Sequence, residues 1–349
     1  MPFITDKLEA LKEQNKESKA TPNASEPQVS NPSDKGYGFR SRFDFSIKSV
    51  MQQLRANIIG QDKVLGQIEQ MLQIIKAELS DSQKPLGVAL LLGPTGVGKT
   101  STARLLAKAI SGNENNLCRI DMNTLSQEHY AASLIGAPPG YVGSKEGNTM
   151  FDANLIAGSY STPSVVLFDE LEKASNEVLI ALLDVLDSGE LRLTSGVKTI
   201  NFRNSIILMT SNLGVKELFS YQQKSKKCSP QKEQKIIQKA LEKKFLPEFI
   251  NRIDSVIYYQ SIPKQQLLDI IDLEIKLLQE RTSHTIILSD DVKNSLMEQY
   301  DIRYGVRDVK RLLLHHIFPL VAQRVLESKT QSIIHKNKGK FLVQDDKNE

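Results

Sequence analysis

A chain of 349 residues, 40% hydrophobic and 25% charged, is long enough for two or three domains with sizeable cores. Its 45 basic and 41 acidic residues leave a net charge of +4, a balance that argues against a dedicated nucleic-acid surface. Two cysteines and five histidines in no ligand spacing exclude a disulfide framework and a protein-built zinc site, and a reducing compartment fits. No run reaches the roughly 18 apolar residues of a membrane span, and the N-terminus lacks a basic-then-apolar leader, so the expected location is cytoplasmic.

Residues 1–45 read as a disordered arm. Ile4, Leu8 and Leu11 make a short apolar stripe at helical spacing, and a polar run with Pro22, Pro27 and Pro32 follows it. Residues 46–260 read as an α/β domain. A helical pattern over Ile47–Leu79 is broken around Asn57–Gly60, and strands are expected at Val88–Leu92, Leu117–Met122, Ser164–Phe168, Ser205–Met209 and Val256–Tyr259. Helical patterns such as Asn176–Asp187 lie between most of them, which implies a parallel sheet covered by helices on both faces. Residues 261–349 change texture to a smaller, mostly helical lobe. Helices are expected at Lys264–Glu280, Asp290–Gln299 and Val306–Leu326, with β-like pieces at Thr285–Leu288, Ser332–His335 and Lys340–Val343 and a hairpin turn at Lys336–Gly339.

The chemistry begins at VALLLGPTGVGKT, Val88 to Thr100. An apolar strand runs into Gly93, Pro94, Thr95, Gly96, Val97, Gly98, Lys99 and Thr100, and an Ala/Leu-rich helix follows. The glycines let successive N–H groups turn inward onto a phosphate, Lys99 reaches the β- and γ-phosphates, and Thr100 offers its hydroxyl to Mg²⁺. This pattern predicts a nucleoside triphosphate site. Asp169 and Glu170 follow the apolar strand SVVLF, where one carboxylate can hold Mg²⁺ and the other can polarise the attacking water. Asn212 closes the next strand, in IILMTSN, where a side-chain amide can orient that water.

Further motifs stand in register with these: GAPPGYVG at 136–143, VVLFDELEKA at 165–174, NSIILMTSNLG at 204–214, FLPEFINRID at 245–254 and YGVRDVKR at 304–311. From about residue 50 to 345 the chain resembles the AAA+ ATPase module of Clp unfoldases, the second ring of the disaggregase ClpB above all. The resemblance implies ATP and Mg²⁺ as ligands, with Ile58, Ile59 and Gly60 packing on adenine. It implies that Arg252 is an arginine finger reaching a neighbouring subunit's nucleotide, and that Arg307 contacts the γ-phosphate in cis. It further implies a homo-oligomeric ring, expected to be a hexamer. Tyr141 and Val142 then line a central pore and grip a polypeptide substrate.

Several features of that family are missing: a receiving N-terminal domain, a first ATPase ring, a coiled-coil middle domain and a zinc module. Between Asn212 and Pro247 no Ile/Leu-Gly-Phe/Leu tripeptide occurs, so partnership with a ClpP-type peptidase is not expected. The segment FDANLIAGSYSTP lacks the arginines usual before the Asp-Glu strand, and SGELRLTSGVK is poor in Gly and Asp for a second pore loop. The expected function is ATP-driven unfolding or remodelling of proteins by threading. The alternatives are an assembly factor using ATP as a conformational switch and a nucleic-acid-associated loader.

Overall fold

The computed structural model describes residues 39–113, 116–126, 151–193, 199–224 and 229–344. The chain divides into Met1–Arg40 and a compact unit, Ser41–Glu349. That unit starts earlier than the expected end of the arm at residue 45. Phe43 and Phe45 are buried, and Lys76 Nζ donates to the Phe43 carbonyl. Arg42 lies over the Phe43 ring and donates to Tyr160 O at 2.8 Å. Two inward aromatics in an otherwise polar stretch are enough to tie these residues down.

Helix α1 spans Ile47–Asn57 and α2 Asp62–Lys76, parted at the expected break. Strands β1 (Gly87–Leu92), β2 (Leu117–Asp121) and β3 (Ser164–Asp169) follow, with α3 (Lys99–Ser111) and the short α4 (Ala153–Ala157) between them. Helix α5 (Asn176–Ser188) leads into a two-stranded ribbon, β4 (Glu190–Arg192) and β5 (Thr199–Asn201), which the sequence pattern did not announce. Next come β6 (Ser205–Ser211), α6 (Val215–Lys224), α7 (Pro230–Lys244), α8 (Pro247–Ile250) and β7 (Ser255–Tyr258).

The main sheet has the order β2-β3-β6-β1-β7, and every pairing in it is parallel. Strands β1, β3 and β6 are buried along their whole length, which is why they read as continuous apolar runs. Alternate residues serve opposite faces. Leu90, Leu92, Val166, Phe168, Ile207 and Met209 pack with α5 on one face. Ala89, Leu91, Val165, Leu167, Ile206 and Leu208 pack with α1, α2 and α3 on the other. Because the strands are parallel, the phosphate loop, Asp169 and Asn212 all emerge at one edge of the sheet, where ligands bind in open α/β folds.

A third core begins at Ile262. It holds α9 (Leu267–Thr282), β8 (Thr285–Leu288), α10 (Asp290–Gln299), α11 (Val306–His316), α12 (Phe318–Leu326), β9 (Gln331–Asn337) and β10 (Lys340–Val343). The single helix expected over Val306–Leu326 is therefore two helices. Pro319 lacks an N–H and crowds the carbonyl four residues back, so the helix restarts at Phe318. The β9–β10 hairpin turns on Lys338 and Gly339, both with positive φ, in the manner of the two-residue turns that suit twisted strands.

Candidate nucleotide site

One cavity of about 890 Å³ opens at the carboxyl edge of the main sheet, between the phosphate loop and the small lobe. Thr95 to Thr100, Asp169, Glu170, Asn212, Arg307, Ile58 and Ile59 all line it. Twelve of the residues expected at the site thus meet around one space. Gly93 and Pro94 stand just behind it: their carbonyls accept Lys99 Nζ at 2.5 and 2.7 Å. Arg252 is elsewhere, paired with Asp187 at the end of α5. Tyr141 and Val142 lie outside the described residues.

Lys99 opens α3, whose Gly98 N-cap has no side-chain hydrogen bond, so the helix presents its positive end toward the cavity. Its ammonium is buried, 8% exposed, and completes its three hydrogen bonds on Asn212 Oδ1 at 2.8 Å. Burial lowers the Lys99 pKa to about 8, against the opposing pull of Glu172, Asp169 and Glu170, while Arg307 lowers it further.

Asp169 is held from three sides. Thr100 Oγ1 approaches its two oxygens at 3.2 and 3.3 Å, Thr210 Oγ1 donates at 2.5 Å, and Arg119 donates through Nε at 3.0 Å and Nη2 at 2.7 Å. Glu170 adopts the left-handed conformation, φ 57°, and its N–H donates to Thr210 Oγ1 at 3.0 Å. A non-glycine residue held there carries strain of about 1–3 kcal/mol, which the surrounding structure has to support. The contact fixes the turn that brings the Glu170 side chain to the cavity wall.

The small lobe touches the phosphate loop directly. Val306 N–H donates to Gly96 O at 2.8 Å. Gly96 and Gly305 face one another, each with positive φ. A Cβ on Gly96 would lie 2.1 Å from Tyr304 O, and one on Gly305 would lie 2.7 Å from Gly96 O. Arg307, two residues beyond Gly305, lines the cavity next to this contact.

Arg119 and Thr210 were not foreseen from the sequence. Thr210 hides inside the IILMTSN motif already in view. Arg119 carries a fainter signal, a charge at the centre of the β2 strand with buried Cys118 and Ile120 on either side. The basic side chains of Arg104 and Lys310 also line the cavity, the latter paired with Glu274 at 3.1 Å.

Comparison with known proteins agrees with this architecture. The family described as "AAA domain (Cdc48 subfamily)" matches residues 84–256, and "C-terminal, D2-small domain, of ClpB protein" matches residues 262–336. The chain belongs to the Clp-type AAA+ ATPases. Among its relatives, the ATP-dependent protease ATP-binding subunit-like protein AmiB of Pseudomonas aeruginosa is 40% identical over 346 residues, 94% of this chain and 93% of its own. A protein of Rhodococcus erythropolis called ATP-dependent protease ATP-binding subunit-like protein is 40% identical over 339 residues, with the same shares. The chaperone protein ClpB of Wolinella succinogenes is 37% identical over 293 residues, 83% of this chain but 33% of the relative.

Proposed function

We propose that the chain hydrolyses ATP as a ring, a hexamer by resemblance to its family, and uses the energy to unfold or remodel polypeptides drawn through the ring's centre. The observation that carries this reading is the convergence of Lys99, Thr100, Asp169, Glu170, Asn212 and Arg307 on one cavity. Adenine would lie against Ile58 and Ile59, and the triphosphate on the loop from Thr95 to Thr100. Thr100 and Asp169 bring a hydroxyl and a carboxylate within 3.3 Å of each other, the hard oxygen donors that suit Mg²⁺. When bound, that ion offsets the negative charge of the β- and γ-phosphates.

In this reading Glu170 takes a proton from the water that attacks the γ-phosphorus, while the bond to the β–γ bridging oxygen breaks and ADP leaves. Asn212 orients that water. Arg307 stabilises the γ-phosphate from the small lobe, and Arg252 serves the site of a neighbouring subunit. Its pairing with Asp187 supports such a role, because it keeps the guanidinium on the protein surface and away from its own cavity. Residues 41–260 and 261–349 act as two lobes of one engine, with residues 1–40 as an arm. Tyr141 and Val142 hold the substrate. Proteins described as chaperone ClpB and ATP-dependent protease subunits among the relatives support polypeptide clients. A ClpP-type peptidase partner is not part of the proposal, nor are nucleic acid or a membrane; the proposed setting is the cytoplasm.

Globular clients are stabilised by only about 5–15 kcal/mol, within reach of repeated pulling. The decisive experiment compares ATP turnover and unfolding of a folded test protein in wild type, Glu170→Gln and Tyr141→Ala. The proposal expects turnover to vanish in the first variant and unfolding alone to vanish in the second. Wild-type turnover no faster than Glu170→Gln would instead favour an ATP-binding switch. Undiminished unfolding by Tyr141→Ala would remove the threading reading.

A further inference from the structure

Glu172 has no part in the roles above, yet it bonds Asn212, which lines the cavity. It belongs to the single 3₁₀ turn, Leu171–Lys173, that follows β3. Its Oε1 accepts the backbone N–H of Asn212 at 3.2 Å. Its Oε2 is buried and has no hydrogen-bond donor among the described residues. The side chain of the same Asn212 accepts Lys99 Nζ at 2.8 Å. Asn212 is therefore gripped twice, through its backbone by Glu172 and through its amide by the phosphate-loop lysine.

The turn does not need this carboxylate to exist. Its own backbone closes it, Lys173 N–H donating to Glu170 O at 2.9 Å and Ala174 N–H to Leu171 O at 3.1 Å. Leu171 and Ala174 anchor it in the core, both almost fully buried. A carboxylate half-satisfied in a buried place is a cost to the fold, and such costs persist where the group serves the site.

We propose that Glu172 is a positioning residue for hydrolysis. By accepting the Asn212 N–H it fixes the backbone at the end of β6, and so aims the Asn212 amide at the reacting end of the cavity beside Lys99. Hydrogen-bond acceptance is the property required, and a glutamine retains it. The inference rests on the reading of Asn212 as the residue that orients the attacking water.

The experiment measures kcat for ATP and the dissociation constant of a fluorescent ADP analogue for full-length Glu172→Ala, Glu172→Gln, Asn212→Ala and the Glu172→Ala/Asn212→Ala double variant. Glu172→Met joins them, filling the space without an acceptor should the alanine variant not fold. Loss of either partner is expected to lower kcat about tenfold or more and to leave ADP affinity within about threefold. Glu172→Gln is expected to keep at least about half the wild-type rate, and the double variant to be no slower than Asn212→Ala alone. A wild-type rate in Glu172→Met beside a slow Asn212→Ala overturns the inference and leaves the reading of Asn212 standing. So does a glutamine variant as slow as alanine, or an additive loss in the double variant. A wild-type rate in Asn212→Ala overturns the reading of Asn212 itself, and this inference with it.

Discussion

Replacing Gly96 by alanine sets a methyl group 2.1 Å from Tyr304 O and 3.1 Å from its carbonyl carbon. Both are backbone atoms, so no side chain can turn aside to make room. Residue 96 also has φ 75°, where an L-residue costs roughly 1–2 kcal/mol. If the small lobe retreats to relieve the collision, Val306 N–H and Gly96 O lose their 2.8 Å bond, worth about 1 kcal/mol net. Together the two effects weaken the closed arrangement by about 2–3 kcal/mol, or roughly 30- to 150-fold in nucleotide affinity if binding requires closure. Val306→Pro separates the contributions. Val306 is the first residue of α11, where proline is tolerated; the change deletes the N–H and exchanges a partly buried side chain for a ring of similar size. It should cost about tenfold or less. A fluorescent ADP titration reads both. Affinity in Gly96→Ala within about threefold of wild type would refute the idea that the lobe contact and nucleotide binding are coupled.

The buried Lys99 predicts two opposite pH effects. Its folded pKa, about 8, lies below the ordinary lysine value. Between roughly pH 8 and 10.5 the unfolded chain thus binds more protons than the folded one, and Lys99 contributes stability that rises with pH by on the order of 3 kcal/mol. Chemical denaturation of wild type against Lys99→Met at pH 7 and pH 10 measures this, and an unchanged difference between them contradicts it. Affinity for ADP should fall over the same interval as the ammonium loses its charge, with Lys99→Met flat throughout. In the small lobe, Asp308 has a fully buried side chain and accepts Asp301 N–H at 2.8 Å and Arg311 Nε and Nη2 at 3.0 and 2.6 Å. Asp308→Ala should cost about 2–3 kcal/mol and lower the melting temperature by about 5–10 °C, as followed by circular dichroism. Mixing Arg252→Ala with Glu170→Gln chains, each nearly inactive alone, should restore part of the ATPase, because an intact Glu170 in one subunit receives the finger of the other; co-assembly without recovery rejects a shared site.

What could be read from the sequence depended on whether a residue's partner was local. Strands β1, β3 and β6 announced themselves because both of their faces are buried. Parallel pairing then brings Lys99, Asp169 and Asn212 to one edge. The roles of Arg119 and Glu172 could not be read for the opposite reason. Their partners, Asp169 and Asn212, stand 50 and 40 residues away, and only the strand order makes them neighbours. Pro319 shows a conflict between two local signals. The apolar stripe Leu312, Leu313, Ile317 and Val321 continues across it into a single core and suggests one helix. The missing N–H breaks the helix all the same, because packing can bend a chain around a core without repairing the i to i−4 ladder.

Arg252 joins the fold to the proposed division of the site between subunits. Two residues on, Asp254 accepts Val88 N–H through Oδ2 at 2.8 Å and returns its own N–H to Val88 O at 3.0 Å. The segment that carries the proposed finger is thereby fastened to the start of the strand whose far end becomes the phosphate loop. The Asp187 pairing is weak enough to give way, since both side chains are about 40% exposed and ion pairs of that kind contribute about 1 kcal/mol or less. Phosphate contact by an arginine finger is worth several times as much. If Arg252 serves a neighbour's site as proposed, it leaves this pairing when it does so, and Asp187→Ala should leave ring ATPase at or above the wild-type rate while Arg252→Ala abolishes it; equal losses in the two variants would mean that the pair acts as a fixed structural clasp.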